Sequence, residues 1–145
     1  MIEIFKNLCE LDATSGDENR VREFIISKID GFCEYKTDAL GNILVFKKGK
    51  KKPQRKVMLD AHTDEVGIII TAITADGYLK FQTIGGIDVA SLMFRRVRIC
   101  GSIDGVISGK PIHLTTAEQR KKLPETDSLY IDIGAKDKLE ASKKV

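Results

Sequence analysis

The texture of the chain changes at Val66, from helical patterns and short strands to segments flanking Asp-Gly turns, and that change limits the possible folds more than any other feature of the chain. Over the first thirty residues, apolar residues recur at three- and four-residue intervals. Met1, Ile4, Phe5, Leu8 and Leu11 share one helical face, and Val21, Phe24, Ile25, Lys28 and Ile29 share another. Ser15-Gly16-Asp17-Glu18 has the Ser-x-x-Glu form of a capping box, which predicts Ser15 at the start of the second helix. Gly31 is placed to end it. Three short strands are expected next, over residues 33–37, 43–47 and 56–60, with a Gly41-Asn42 turn between the first two.

Beyond Val66 the strands come in pairs. Residues 67–73 and 78–84 flank Asp76-Gly77, and residues 96–100 and 106–108 flank Asp104-Gly105. Asp-Gly supplies the positive φ angles of tight hairpin turns. Two such turns so close together predict a small antiparallel barrel or sandwich. A short helix over 114–123, a strand over 129–133 and a final helix over 136–144 complete the expectation. The chain therefore reads as an α/β piece followed by a β-rich piece, divided at Val66 and Gly67.

Composition narrows the function classes. A length of 145 residues suffices for a modest core, and 42% hydrophobic against 31% charged residues is the balance of a soluble globular protein. No apolar run approaches the ~20 residues that span a bilayer, and the N-terminus lacks the pattern of a secretory signal. No membrane partner is expected. Cys9, Cys33 and Cys100 are an odd, widely spaced set without a CxxC, which fits free thiols and a cytoplasmic location. Cys9 and Cys100 read as packing residues on a helix face and at a strand end.

Charge is concentrated in one place. Residues 47–56 hold seven of the 24 basic side chains and no acid, leaving 17 bases against 21 acids elsewhere. The run contains Gly49 and Pro53 and no aromatic residue that could stack a base. It reads as a solvated loop between strands, with no nucleic-acid partner.

The chemistry gathers where the apolar Val57-Met58-Leu59 runs into Asp60-Ala61-His62-Thr63-Asp64-Glu65. Ligands in open α/β sheets collect outside the carboxyl ends of strands. A neutral imidazole there can bind a cation. An Asp two residues on, in extended chain, points to the same side and can hold the other ring nitrogen. His62 is thus a candidate metal ligand and Asp64 its orienting carboxylate, with Glu65 in support. His113, the only other histidine, reads as a loop residue.

Here the sequence resembles the glutamyl and deblocking aminopeptidases, a family of cytosolic peptidases with two co-catalytic metals whose members are often labelled endoglucanases. The resemblance runs through Ser15-Gly16, Asp38-x-x-Gly41-Asn42 and Ala61-His62-Thr63-Asp64-Glu65-Val66-Gly67. It continues in Gly85-Gly86-Ile87-Asp88, Arg96-Val97-Arg98-Ile99, Gly105-Val106-Ile107-Ser108-Gly109-Lys110-Pro111-Ile112-His113-Leu114 and Leu129-Tyr130-Ile131-Asp132-Ile133-Gly134-Ala135. It implies an α/β fold in which residues 1–66 form the N-terminal part of a metallopeptidase catalytic domain. Residues 67–145 would then be an inserted, β-rich, barrel-like dimerisation domain lacking its last strand. It also implies metal ligation by His62, a catalytic supporting role for Asp64, and two divalent metals, zinc or cobalt, in the complete enzyme.

The resemblance carries a departure with it. Family chains are more than twice this length, and the bridging Asp, the general-base Glu and the other ligands follow the inserted domain. A catalytic zinc wants about three protein ligands and an open position, so the isolated chain is expected to bind no metal tightly and to be inactive. Two readings stay open. One is a truncated or split metallo-aminopeptidase that acts on peptides only when completed by the missing part. The other is a non-catalytic module for oligomerisation or partner binding. Both predict a homo-oligomer or a complex with a second polypeptide, because an unpaired apolar strand at 56–60 would otherwise lie exposed.

Overall fold

In the computed structural model, which describes residues 1–51, 54–118 and 121–145, the chain divides into two compact units, Met1–Glu65 and Val66–Val145.

The first unit begins with the two expected helices, α1 (Ile2–Glu10) and α2 (Asn19–Ile29). The second helix starts later than the capping box predicts. Glu18 occupies the N-cap and makes no side-chain cap bond, while its carboxylate accepts the Gly16 N–H at 2.7 Å. Residues 14–17 form a turn instead, closed by the Asp17 N–H donating to the Thr14 carbonyl at 2.7 Å. Gly16 sits third in it with φ +96°, the left-handed position that a type II turn reserves for glycine. The Ser-x-x-Glu pattern thus builds a turn before the helix rather than a cap on it.

Strands β1 (Glu34–Thr37) and β2 (Ile43–Phe46) pair antiparallel as a hairpin. The connecting loop is held by Asp38, whose carboxylate accepts the Leu40 and Asn42 backbone N–H groups and the Asn42 amide, all at 2.9 Å. These bonds hold its carboxyl below the ordinary aspartate range, the Asn42 side chain contributing most. The third expected strand, over residues 56–60, does not form. Val57, Met58 and Leu59 are 85%, 87% and 93% exposed. β-branched and apolar composition favours a strand only where a neighbouring ladder and a buried face exist, and this segment has neither within its unit.

The second unit is a five-stranded antiparallel sheet in the order β3-β4-β7-β6-β5, built from β3 (Gly67–Ile73), β4 (Leu79–Ile84), β5 (Arg96–Ile99), β6 (Ile103–Ser108) and β7 (Tyr130–Asp132). Alternation places Leu79, Phe81, Ile99, Ile107 and Ile131 on one buried face, joined by Leu92, Leu129 and Ala141. A bulge between Ile70 and Ala72 inserts one residue into β3, so Ile70 opposes Phe81 and Ile73 opposes Leu79. The extra residue keeps both isoleucines on the core side. Helix α3 (Lys138–Lys144) closes the unit, with the Asp137 side chain accepting the Glu140 N–H at its N-cap.

The two Asp-Gly dipeptides part ways. Asp76-Gly77 makes the expected turn, with Gly77 at φ +82° and its N–H donating to the Thr74 carbonyl at 3.1 Å. Asp104-Gly105 lies inside β6, paired with Arg98 and Val97. The hairpin turns instead at Cys100-Gly101, where both φ angles are positive, as in a type I′ turn, and the Ser102 N–H reaches the Ile99 carbonyl. Gly105 serves packing: a β-carbon there would stand 2.6 Å from the Ile131 Cγ2. Cys100 is accordingly an exposed turn residue, and Cys9 is exposed on α1, so neither is the packing residue expected.

The helix expected over 114–123 is not found among the described residues. A 3-10 turn at Ile112–Leu114 precedes it, and residues 119 and 120 lie outside the described set. Residues 52 and 53 of the basic run also lie outside it, while the described part is exposed. Among the described residues, no helix is long and apolar enough to cross a membrane.

Candidate functional site

The His-x-Asp-Glu segment is held by a short backbone pairing. Thr14 and Glu65 form a parallel bridge in which the Glu65 N–H donates to the Ala13 carbonyl at 2.8 Å. The Ser15 N–H returns a 3.3 Å bond to the Glu65 carbonyl. Glu65 adds its side chain to the same clasp, Oε1 accepting the Ala13 N–H at 3.3 Å. Its carboxylate is therefore structural.

Side chains alternate along extended backbone, so Asp64 faces away from Glu65, toward Ser15 in the neighbouring turn. The two meet: the Ser15 hydroxyl donates to Asp64 Oδ2 at 2.5 Å. The other carboxylate oxygen, Oδ1, stands 3.0 Å from His62 Nδ1, and the Asp64 backbone carbonyl stands 2.9 Å from the same nitrogen. Both partners of Nδ1 are acceptors, so in the neutral ring the proton belongs on Nδ1. Nε2 then carries the lone pair, on a side chain 85% exposed. The Ser15 hydrogen bond, followed by that from His62, holds the Asp64 carboxyl below the ordinary aspartate range.

The structure thus brings together the two residues singled out in the sequence, His62 and Asp64, and adds Ser15, which the capping-box reading assigned elsewhere. A signal for Ser15 was present: Ser-Gly marks a turn as readily as a cap. His113 is exposed in the 3-10 turn at Ile112–Leu114, within the other unit. Among the described residues, no group of three or more His, Cys, Asp or Glu side chains could hold a metal ion. The donor set therefore fits one corner of a divalent metal site: an imidazole nitrogen with its tautomer set by a carboxylate behind it.

Comparison with known proteins gives this corner a context. The chain is 38% identical over 148 residues to the putative aminopeptidase FrvX of Escherichia coli, covering 99% of itself and 41% of that protein. Among solved structures it resembles the TET aminopeptidase of a marine sediment Thaumarchaeota archaeon, with TM-score 0.88 and 35% identity, covering 99% of this chain and 41% of that one. It also resembles the Pyrococcus horikoshii TET1 peptidase, which can assemble into a tetrahedron or a large octahedral shell. That likeness has TM-score 0.81 and 40% identity over 99% of this chain and 43% of the other. The chain spans about two fifths of the length of the relatives it matches. The model of the M42 glutamyl aminopeptidases matches residues 41–145, well over half of the chain, and the protein belongs to that family.

Proposed function

We propose that this chain supplies one corner of the active site of a metal-dependent aminopeptidase, which hydrolyses N-terminal residues from peptides. The observation that carries the reading is the His62 ring, its Nδ1 between two oxygens of Asp64 and its Nε2 free to act as a donor. His62 would hold one of two divalent metals, zinc or cobalt, through Nε2. When bound, such metals supply the Lewis acidity that activates water and polarises the scissile carbonyl at neutral pH. Asp64 keeps the proton on Nδ1, fixes the ring plane and raises the basicity of the imidazole. Glu65 holds the segment in place through Ala13.

On this reading Met1–Glu65 belongs to the α/β catalytic domain, and the sheet unit Val66–Val145 is an inserted β-rich, barrel-like dimerisation domain. The peptidase would be a homo-oligomer, the arrangement favoured by the assembly of the P. horikoshii relative. A second reading, a non-catalytic oligomerisation module, draws support from the sheet unit, which closes a core of its own.

One titration tests the first reading. Zinc added to the 145-residue chain should move the His62 Nε2 resonance, with weak affinity because one imidazole is a single ligand, and His62→Ala should abolish the effect. The chain by itself should not turn over aminoacyl-p-nitroanilides with zinc or cobalt present. A His62 resonance indifferent to both metals would overturn the ligand assignment, and turnover by the chain would overturn its incompleteness.

A further inference from the structure

We propose that Ser15 is a positioning residue of this site: its hydroxyl orients the Asp64 carboxylate and so holds His62 in the tautomer that offers Nε2 to a metal. The metal part rests on the reading of His62 as a ligand, and the tautomer part does not.

The geometry is that of a relay through one carboxylate. Ser15 takes Oδ2 at 2.5 Å and His62 takes Oδ1 at 3.0 Å, so each oxygen has its own partner. A carboxylate held only through Oδ1 can turn about its Cβ–Cγ bond and lose the imidazole. Anchoring Oδ2 with a short hydroxyl-to-carboxylate bond removes that freedom. The anchor itself is well fixed. Ser15 sits second in the turn closed by Asp17 and Thr14, next to Gly16 at φ +96°, and its N–H is tied to the Glu65 carbonyl. The two acceptors on Nδ1 differ in strength. The Asp64 carbonyl also accepts from Nδ1 at 2.9 Å, but it is neutral, and the carboxylate is the stronger acceptor.

Ser15 is also not committed to the helix. Glu18 is the N-cap of α2, and its cap receives no side-chain bond. The hydroxyl's partner is the carboxylate 49 residues away in sequence. A free neutral imidazole prefers the proton on Nε2, the wrong nitrogen for a ligand that must bind through Nε2. Keeping the proton on Nδ1 calls for acceptors held in place, and Ser15 holds the charged one.

The test is nitrogen-15 NMR of the histidine side chains in the full 145-residue chain, at a pH where the imidazole is neutral. There are only two histidines to assign. In the wild type the His62 signal should report the Nδ1–H tautomer. Ser15→Ala should cut that population at least twofold towards the Nε2–H form, and Ser15→Thr, which keeps the hydroxyl, should restore it. Zinc affinity read from Nε2 should fall about tenfold in Ser15→Ala, the scale of other outer-shell losses. An unchanged tautomer in Ser15→Ala overturns the positioning role. Should Ser15→Ala disturb the amide signals of residues 13–17, Ser15→Thr decides. A native amide spectrum with the Nε2–H tautomer in Ser15→Thr overturns the proposal, and the Nδ1–H tautomer upholds it. Failure of zinc to move Nε2 in the wild type removes the metal clause, while the tautomer result still judges Ser15.

Discussion

Between Val66 and Val145, Leu79, Phe81, Ile107 and Ile131 are almost wholly removed from solvent and pack with four further buried side chains. Between Met1 and Glu65, the buried apolar residues among those described are Ala13 and Val21. The first unit is nearly as rich in apolar sequence, with 26 such residues among its 65 against 35 among the 80 of the second. Ile2, Phe5, Leu44, Phe46, Val57, Met58 and Leu59 all belong to it, and all are exposed. The difference lies in closure. In the sheet unit, hairpins of adjacent sequence fold onto one another and bury a shared face. In the helical unit, the amphipathic helices and the two-stranded hairpin find no common core. The candidate site belongs to this second kind of region, and its geometry is set by hydrogen bonds from Ala13, Ser15 and Glu65 rather than by packing.

The largest effect should separate the two regions directly. Ile131→Ala removes a fully buried side chain from the middle of the sheet and should cost about 2–5 kcal/mol. Leu59→Ala, at 93% exposure, should change stability by no more than about 0.5 kcal/mol. Urea unfolding measures the first through the amide signals of β4, β6 and β7 and the second through those of α1 and α2. Equal costs would break the contrast.

Overpacking sharpens the same point. Gly105→Ala drives a methyl group against Ile131 and should destabilise the sheet unit by about 1–3 kcal/mol, while leaving the signals of Met1–Glu65 in place. A smaller loss, about 1 kcal/mol, is expected from Asp137→Ala, which removes the side-chain acceptor at the start of α3. Thermal melts read from the same amide signals would detect either. Cys100→Asn should go the other way and add up to about 1 kcal/mol, since asparagine tolerates the left-handed backbone that Cys100 occupies at φ +50°.

The smallest effect concerns the helical unit. Asp38 has its carboxyl lowered in the folded state, first by the Asn42 side chain. Its contribution is therefore complete above the unfolded aspartate value and lost as pH falls through the lower folded value. Asn42→Ala should raise the Asp38 titration midpoint measured by carboxyl NMR. An unmoved midpoint would show that the backbone donors alone hold this loop.

Much of the fold was legible in advance. Helical spacing located α1 and α2, Asp76-Gly77 located a hairpin turn with β3 and β4 on either side of it, and β7 falls within the strand expected over 129–133. The failures share a cause. Asp104-Gly105 looked like a turn because Asp-Gly satisfies turn backbone, yet Gly105 is needed where β6 passes close to Ile131. Residues 56–60 looked like a strand because their composition suits one, yet a strand also needs a partner. Ser15 looked like a helix cap because Glu18 follows at the right distance, while its bonding partner, Asp64, is remote in sequence.

By itself, the sequence determined the change of architecture at Val66 and the candidate pair His62 and Asp64, because turn dipeptides and two-residue spacing are local properties. Only the tertiary structure decided which glycine turns and which one packs, that Val57, Met58 and Leu59 form no strand, and that Ser15 bonds Asp64. Each of those outcomes depends on a second stretch of chain brought within a few ångströms, and no local pattern records which stretch that will be.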